Sequence, residues 1–389
     1  INAKPVIYSV GDAEEGIVSI KEIYTSQTEN PDVPITAADA AQILYTSGTT
    51  GKPKGALLTH GNVTNLNSAQ TVMMKLNHDD VYLLVAPAFH SAGLNMVLTS
   101  CFFAGATVIM MRDFHPVESL KAIEQHKVTL FFGVPAMYNA FFMVPKGSYD
   151  LSTVRGYVYG AAPMSPSMIE RAVEYLGSDQ FYNACGLTEG GPGGVYLTPE
   201  EHKTKLGASG KAMTFLDVRV VNDYMEDVLP GEVGEFIMRG ESVMKEYYKK
   251  PEETAQTFRD GWLLTGDLAT IDDEGYITLV DRKKDMIISG GENVYSVEVE
   301  QILNGYPGIV ECAIIGLPDP KWGEVVTAVI VKKEDIEIDE EDMKAYCRGH
   351  LAGYKLPRQF IYVESLPRNV SGKILKYQLR ENWKEKIIN

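Results

Sequence analysis

The sequence is poor in cysteine, in basic residues and in long apolar runs. Its four cysteines are dispersed over 389 residues, with no C-x-x-C pair and no Cys/His cluster at metal-ligand spacing. A reduced, cytoplasmic compartment is therefore the simpler expectation. Lys and Arg number 36 against 52 Asp and Glu, which gives a formal net charge of -16. This charge repels nucleic-acid backbones and anionic membranes, so we expect no nucleic-acid partner.

No stretch is long enough to cross a bilayer. The most apolar one, residues 96–111, is shorter than a membrane span and is interrupted by Ser, Thr and Gly. We expect a buried strand followed by a turn there, and no transmembrane segment. The start of the chain has no signal-peptide pattern and opens with Ile1 rather than Met. We expect a fragment or a processed product.

What is present is the composition of an ordinary globular protein, with 45% apolar and 23% charged residues. A chain of 389 residues exceeds what one core usually serves, so at least two domains are expected. Short β-rich runs alternate with helical patterns through the first half, which predicts a mostly parallel sheet covered by helices. In residues 206–280, short strand-like pieces separated by Gly, Pro and Asp predict an antiparallel, barrel-like subdomain.

A charged break at Asp281–Asp285, followed by two glycines, predicts a domain hinge. The hundred or so residues beyond it predict a compact α+β unit. Its expected helices cover 297–303 and 340–349, and its expected strands cover 310–315, 325–332 and 360–363. The predicted fold is an α/β large domain with parallel sheets (1–281), including the barrel-like subdomain, plus a small mobile α+β C-terminal domain (282–389).

The segment Tyr45-Thr-Ser-Gly-Thr-Thr-Gly-Lys-Pro-Lys-Gly55 has the composition of a phosphate-binding loop. Its hydroxyls and unobstructed backbone N–H groups can donate to phosphate oxygens, and two lysines add positive charge. It is not the P-loop of kinases and GTPases, because Lys52 is followed by Pro53 where that motif needs Ser or Thr. Composition alone leaves a flexible surface loop as an equally good interpretation.

The complete eleven-residue string resembles the signature of the AMP-forming adenylating superfamily. That superfamily contains acyl-CoA synthetases, aryl-acid ligases, luciferases and the adenylation domains that load carrier proteins. The resemblance implies that the loop binds the phosphates of ATP. The residues concerned are Thr46, Ser47, Gly48, Thr49, Thr50, Gly51 and Lys54.

Further segments resemble motifs of the same family, in the family's order. Asn183-Ala-Cys-Gly-Leu-Thr-Glu189 is similar to the adenine and magnesium motif, which implies that Glu189 binds Mg²⁺ and Thr188 contacts the α-phosphate. Alone, Glu189 would be interpreted as a solvated loop carboxylate. The family often has an aromatic residue at the position of Cys185. The implied adenine-binding residues are Gly160, Ala161, Ala162, Asn183, Ala184, Cys185 and Gly186.

The remaining motifs imply the rest of the nucleotide site. Asp267 resembles the aspartate that binds the ribose hydroxyls, and Asp281-Arg282 resembles the hinge aspartate and the arginine that contacts ribose or phosphate. Lys373, in Pro367-Arg-Asn-Val-Ser-Gly-Lys-Ile374, resembles the adenylation lysine, whose ammonium stabilises charge on the phosphoryl oxygens. Gly291 resembles a residue that leaves room for the pantetheine arm of CoA.

The resemblance also implies an acyl pocket near His90, which we expect to shape the wall rather than to transfer protons. The matched lining residues are His90, Ala92, Met96, Ala161, Ala184 and Gly186. Most of these side chains are small, which favours a medium- or long-chain fatty acid or a bulky aryl acid over acetate.

The implied function is an ATP-dependent, AMP-forming acid–CoA ligase that uses Mg²⁺. Its oligomeric state is open, with a homodimer as one option. Two alternatives are an adenylating enzyme that loads a carrier protein and a non-catalytic binder of a nucleotide or acyl-AMP. Retention of Lys373, Glu189 and Asp267 argues against the binder. The loop lies closer to residue 1 than in the family, so we expect part of the N-terminal region to be missing from this sequence.

Overall fold

A computed structural model describes residues 8–9, 18–24, 29, 32–46, 53–333, 336–369 and 372–384. The chain divides into two compact units, residues 1–36 and 37–389. In the first unit, strands β1 (Tyr8–Ser9) and β2 (Val18–Ser19) pair in parallel, and a 3₁₀ helix covers Ile20–Ile23. All elements below belong to the second unit.

The second unit begins with an antiparallel hairpin of β3 (Ala40–Thr46) and β4 (Lys54–Thr59). Helix α1 (His60–Met74) follows directly, and the Thr59 side chain accepts a hydrogen bond from the backbone N–H of Asn62. Such an N-cap satisfies one of the backbone N–H groups that have no partner within a helix.

A seven-stranded sheet forms the centre of this unit, in the order β11-β10-β9-β8-β7-β5-β6. Strands β5 to β9 pair in parallel, whereas β10 and β11 pair antiparallel. The parallel part confirms the predicted α/β fold. The strand bounds are β5 (Val81–Leu84), β6 (Thr107–Met110), β7 (Leu130–Gly133), β8 (Gly156–Gly160), β9 (Phe181–Gly186), β10 (Gly194–Leu197) and β11 (Lys211–Ala212).

Side chains of the parallel strands alternate between two hydrophobic cores. Tyr82 and Leu84 belong to one core, and Leu83 belongs to the other. This alternation buries both faces of the sheet. The helices are α2 (Ser100–Ala104), α3 (Pro116–His126), α4 (Pro135–Phe141), α5 (Pro166–Leu176) and α6 (Pro199–His202), with a 3₁₀ helix at Thr188–Gly190. Within the described residues, no helix is both long and apolar enough to span a bilayer.

The prediction of a strand followed by a turn at residues 96–111 is wrong in its first half. The chain forms a π-helix at Ala92–Thr99, continues into α2, and becomes a strand only at β6. Periodicity cannot distinguish a short buried helix from a buried strand in such an apolar run. Two hydrogen bonds of the Ser100 hydroxyl favour the helix: a local bond to the Asn95 carbonyl oxygen at 2.7 Å and a long-range bond to Asn67 Oδ1 at 3.1 Å.

The predicted antiparallel region is confirmed as a five-stranded sheet. Its path is β12-β13-β16-β15, and β17 pairs with β16. The bounds are β12 (Leu216–Val221), β13 (Gly234–Gly240), β15 (Phe258–Arg259), β16 (Trp262–Ile271) and β17 (Ile277–Arg282). Between them, β14 (Glu246–Tyr247) joins the edge of β4, and α7 spans Pro251–Thr257.

A second five-stranded sheet follows, with the order β19-β18-β21-β20 and β22 beside β21. Its elements are β18 (Ile287–Ser289), β19 (Glu292–Val294), α8 (Ser296–Asn304), β20 (Ile309–Asp319), β21 (Gly323–Lys332), α9 (Glu340–Arg348), a 3₁₀ helix (Gly353–Lys355), β22 (Gln359–Tyr362) and α10 (Lys376–Lys384). The predicted α+β elements are present. The boundary at residue 281 stays a prediction, because residues 37–389 form one compact unit.

Gly186 ends β9 where two backbones come very close together, so we predict that Gly186→Ala destabilises the fold. A methyl group at this position would lie 2.2 Å from the Pro192 carbonyl oxygen and 2.5 Å from that of Gly193. We expect the free energy of unfolding in urea to fall by about 1–3 kcal/mol. Gly353→Ala is the control, because no described atom lies within 4 Å of its added methyl group. Equal stability of the two variants would contradict the close approach.

Candidate active site

The predicted adenine-binding residues lie together at the carboxyl ends of two parallel strands. Gly160 is the last residue of β8 and pairs with Ala184 in β9, close to Cys185 and Gly186. A side chain on Gly160 would meet the Ala184 carbonyl oxygen at 2.3 Å. Ala161 follows with φ of 65°, a strained value for a non-glycine residue that is often found at functional sites. Open α/β sheets bind ligands at this edge.

Within this group, two polar side chains have defined environments. The Asn183 amide nitrogen donates to the Ser209 carbonyl oxygen at 3.2 Å, which fixes the orientation of its side chain. Burial, and then the charge of Asp267, raise the pKa of Cys185 to about 12. The Cys185 thiol therefore stays protonated at neutral pH and does not act as a thiolate.

The predicted phosphate loop connects β3 to β4, and Thr46 and Lys54 are the paired residues next to this loop. Ser47, Gly48, Thr49, Thr50 and Gly51 lie outside the described residues. The Lys54 ammonium lies 4.2 Å from the centre of the Tyr247 ring. This cation–π contact connects the loop to β14.

Tyr247 is a site residue that the sequence analysis missed. Its hydroxyl donates a 2.6 Å hydrogen bond to Glu189 Oε1, and Met244 N donates to the Glu189 carbonyl oxygen at 2.7 Å. Burial, and then the negative charge of Glu189, raise the pKa of Tyr247, so its hydroxyl remains a donor. The two residues are 58 positions apart. No local pattern marks this contact, because it arises from the pairing of β14 with β4.

Glu189 supplies a carboxylate to this part of the site. Within the ranges that the structure describes, no three His, Cys, Asp or Glu side chains come together to hold a metal ion. A single carboxylate completed by water and substrate phosphates is a common way to bind Mg²⁺, whereas zinc needs several nitrogen or sulfur ligands. The residues present therefore fit Mg²⁺ that binds together with a nucleotide.

His90 and Thr188 lie where the carboxyl end of β5 approaches the Glu189 segment. Thr188 Oγ1 is 3.2 Å from the hydroxyl of Ser91, and His90 Nδ1 accepts a hydrogen bond from Ala92 N at 3.3 Å. Burial, and then the charge of Lys373, lower the pKa of His90. A neutral imidazole suits the predicted role in the pocket wall.

Asp267 and Arg282 are paired residues on β16 and β17. Arg282 Nε lies 3.2 Å from Asp267 Oδ1. Burial raises the pKa of Asp267, while Arg282 and Lys373 act in the opposite direction. The Asp267 carboxylate thus lies beside two cations, at the end of the strand pair that leads into the predicted hinge.

Lys373 belongs to a tight turn near the C-terminus. Asn369 Oδ1 accepts from Lys373 N at 2.9 Å, and Asn369 N donates to the Lys373 carbonyl oxygen at 3.0 Å. The charge of Lys373 acts on the pKa values of His90, Cys185 and Asp267, so this turn lies near all three residues. Its side chain is exposed to solvent, although many protein atoms surround it. Burial there, and then Arg282, lower the pKa of Lys373 to about 8.

Some of the predicted acyl-pocket residues are buried and others are exposed to solvent. Ala92, Met96 and Ala184 are buried, whereas Ala161 and Gly186 are exposed at the strand ends. Ala92 and Met96 belong to the π-helix, a rare structure that often occurs at functional sites. The pocket assignment stays a prediction.

The predicted CoA segment is the turn between β18 and β19. Gly290 and Gly291 both have positive φ, at 63° and 87°, which glycine adopts without strain. Gly290 N donates to the Trp322 carbonyl oxygen at 2.8 Å. The Arg358 guanidinium lies 4.0 Å from the centre of the Trp322 ring, and the Lys321 ammonium lies 5.0 Å from it. Positive charge is thus concentrated beside this turn.

Models of two protein families match most of the chain. The AMP-binding enzyme family matches residues 2–248, and the C-terminal domain of AMP-binding enzymes matches residues 298–373. A feruloyl-CoA synthase from an Amycolatopsis species is 44% identical over 364 residues, which are 93% of this chain and 74% of that protein. A long-chain-fatty-acid–CoA ligase from Mycobacterium tuberculosis is 39% identical over 93% of this chain and 71% of its own length.

Solved structures share the fold. ATP-bound MatB from Rhodopseudomonas palustris superposes with a TM-score of 0.85 at 33% identity, covering 90% of this chain and 69% of MatB. O-succinylbenzoate CoA synthetase from Bacillus subtilis, in complex with ATP and magnesium, has a TM-score of 0.84 at 32% identity, covering 93% of this chain and 75% of that one. With these matches and the geometry described above, the chain belongs to the AMP-binding enzyme family.

Proposed function

We propose that this chain converts a carboxylic acid, ATP and CoA into an acyl-CoA through an acyl-adenylate, with Lys373 as the catalytic residue of the first step. One observation carries the proposal: the turn of Lys373 lies close enough to His90, Asp267 and Cys185 for its charge to alter their pKa values. These three residues belong to the loop after β5, to β16 and to β9. A cation so placed can reach a nucleotide whose base lies on β9 and whose ribose lies at Asp267.

In the first step, a carboxylate oxygen of the acid attacks the α-phosphorus of ATP. The new bond is O–Pα, the broken bond joins Pα to the β-phosphate oxygen, and pyrophosphate leaves. Negative charge on the phosphoryl oxygens is stabilised by the Lys373 ammonium, with Arg282 nearby. Asp267 accepts hydrogen bonds from the ribose hydroxyls, and Asn183 orients the base. Mg²⁺ bound at Glu189 supplies positive charge next to the phosphates.

In the second step, the CoA thiol loses its proton and attacks the acyl carbonyl carbon, which releases AMP. We infer that the C-terminal part, from residue 282 onward, turns about the hinge between the two steps. The Gly291 turn then lines the path of the pantetheine arm, and Arg358 and Lys321 lie where they can meet the anionic end of CoA. No side-chain nucleophile is needed.

We propose that the acid is apolar, because the predicted pocket residues Ala92, Met96 and Ala184 all have apolar side chains and two of them are small. We propose a medium- or long-chain fatty acid. An aryl acid is the second candidate, because the feruloyl-CoA synthase is 44% identical whereas the fatty-acid ligase is 39% identical. CoA is favoured over a carrier protein because both relatives are named for CoA products. A cytoplasmic location is part of the proposal and agrees with the four free cysteines.

The deciding experiment follows AMP and thioester formation by the purified chain with ATP, Mg²⁺ and a panel of fatty and aryl acids, with and without CoA. If the proposal is correct, the CoA thioester and AMP form at the same rate. Turnover that is indifferent to CoA but dependent on an acyl carrier protein would identify the alternative acceptor. Absence of acyl-AMP with every acid would overturn the ligase proposal.

Replacing Lys373 should separate the two steps. In Lys373→Ala we expect acyl-AMP formation to fall roughly 100- to 1000-fold, because the developing phosphoryl charge loses its cation. Conversion of supplied acyl-AMP to thioester should persist. Single-turnover assays of each step measure the difference, and equal loss in both would contradict the assigned role.

The lowered pKa of Lys373 predicts a pH limit on the first step. Below pH 8 the ammonium of the free enzyme is charged, and it loses its proton as the pH rises through about 8. The kcat/KM for ATP should therefore fall above this pH, since that parameter reports the free enzyme. Lys373→Arg keeps its charge, so whatever activity remains should not fall near pH 8. The same fall in both proteins would assign it to another group.

Tyr247→Phe should weaken the use of Mg²⁺ without unfolding the protein. Loss of the hydroxyl leaves Glu189 Oε1 without the donor that orients it. Loss of an outer-shell partner typically costs about 10- to 100-fold in metal affinity, so half-maximal activity should need correspondingly more Mg²⁺. Tyr248→Phe, at the neighbouring and more exposed tyrosine, is the matched control. An identical Mg²⁺ titration of the two variants would refute the role of Tyr247.

A further inference from the structure

A buried network of polar groups lies beside the predicted hinge, and the mechanism above does not use it. Asp281 Oδ2 accepts hydrogen bonds from the backbone N–H of Ser296 and from its hydroxyl, the latter at 2.7 Å. Lys376 Nζ lies 2.5 Å from the same hydroxyl oxygen and 2.6 Å from Glu300 Oε1. Asp281 and Ser296 are buried, and the Lys376 and Glu300 side chains are only 13% and 16% exposed. We call these four residues the hinge network.

The hinge network joins elements on opposite sides of the hinge. Asp281 lies in β17 and pairs with Leu268 of β16, so it belongs to the antiparallel sheet that carries Asp267. Ser296 and Glu300 lie on α8, and Glu300 Oε1 also accepts from Ile314 N of β20 at 2.8 Å. Between Asp281 and Ser296 the chain passes through the charged segment 283–286. The bonds from Ser296 to Asp281 therefore cross the hinge.

The bond to Asp281 also completes the beginning of a helix. Ser296 is the first residue of α8, and the preceding Tyr295 makes no side-chain capping bond. Backbone N–H groups in the first turn have no partner within the helix, and the helix dipole favours negative charge there. The Asp281 carboxylate supplies both the acceptor and the charge. Separation of α8 from β17 would remove both from the helix and leave a buried carboxylate to be rehydrated.

The same network holds the turn that carries Lys373. Lys376 is the first residue of α10 and follows Lys373 by three positions. One helical turn later, Arg380 lies 2.6 Å from Asp285 Oδ1, so α10 is anchored to the hinge segment as well as to α8. The position of Lys373 in the cleft is thus coupled, through Lys376 and Ser296, to the carboxylate of Asp281.

We propose that Ser296 and Lys376 are positioning residues that hold the orientation in which Lys373 serves acyl-adenylate formation. This rests on the proposed function, in which Lys373 acts in the first step only. Turning about the hinge moves Ser296 with α8 while Asp281 stays with β16, so the bonds between them must break before the second step. The hinge network therefore favours the first orientation over the second, and its removal shifts the population toward the second.

Ser296→Pro tests this with little cost to the helix. Proline is favoured at the first helical position, and Tyr295 has φ of -84° and ψ of 116°, the extended conformation preferred before proline. The substitution removes both donors to Asp281. We expect acyl-AMP formation in a single turnover to slow roughly tenfold, while thioester formation from supplied acyl-AMP stays the same or becomes faster.

Glu340→Pro is the matched control. Glu340 is the first residue of α9, and the preceding Asp339 has φ of -77° and ψ of 116°, nearly the same as Tyr295. The Asp339 side chain accepts from Glu341 N and Asp342 N, so no capping bond needs the N–H of Glu340. Both steps should run at the wild-type rate in this variant.

Three results would overturn the proposal: equal loss of both steps in Ser296→Pro, no change in either, or the same change in Glu340→Pro. If Ser296→Pro does not fold, Ser296→Ala and Asp281→Asn test the proposal instead. We expect the rates of the two steps to change in the same directions in these variants, but by less. Lys373→Ala, measured in parallel, separates the two hypotheses. If it still forms acyl-AMP, the proposed function of Lys373 fails. If it loses acyl-AMP formation while the Ser296 variants behave as wild type, only the hinge network proposal fails.

Discussion

The pairing of β16 with β17 is the constraint on which the site depends. It places Asp267 opposite Arg282, 3.2 Å apart, on strands anchored in the antiparallel sheet. The preceding residue on β17, Asp281, is bound to the first residue of α8. One strand pair therefore fixes both the predicted ribose carboxylate and the point where the C-terminal part is attached. On the proposed hinge, a small change at the end of β17 alters the position of Lys373.

The protein must bind anionic substrates although its own net charge is -16. It does so with a few cations that partly repel one another. Arg282 lowers the pKa of Lys373, and Lys373 in turn lowers that of His90. Placing positive charges this close together is unfavourable in the free protein. The phosphates of a bound nucleotide remove this cost, because their negative charge neutralises the cations. On the proposed roles of these residues, binding energy is concentrated at the phosphates rather than spread over the surface.

Much of this was predictable from the sequence, for reasons that differ between regions. Helices α8 and α9 and strands β20 to β22 have local periodicities strong enough to locate them, and these five elements were predicted. Strand β19 and helix α10 were not. The motif residues Gly160, Ala184 and Asp267 were identified through their resemblance to motifs of the family, and the structure places them on β8, β9 and β16. The π-helix at Ala92–Thr99 was missed because an apolar run carries no periodicity that favours it over a strand.

Contacts between distant residues were beyond any local pattern. Tyr247 reaches Glu189 only because β14 adds to β4, and Ser296 reaches Asp281 only because α8 packs against β17. Neither residue stands out in composition or spacing. Their partners were recognisable, since Glu189 and Asp281 lie in motif-like segments, but the second member of each pair depends on tertiary structure.

The bond between Tyr247 and Glu189 has a consequence for the order in which ligands bind. The carboxylate already accepts one hydrogen bond, and among the described residues no group of three His, Cys, Asp or Glu side chains forms that could hold a metal ion. The free protein then has little affinity for a metal ion alone, so on the proposed role of Glu189 the metal arrives already bound to the nucleotide. Uncomplexed ATP becomes a competitor of its own magnesium complex, and the rate follows the concentration of that complex rather than of either component.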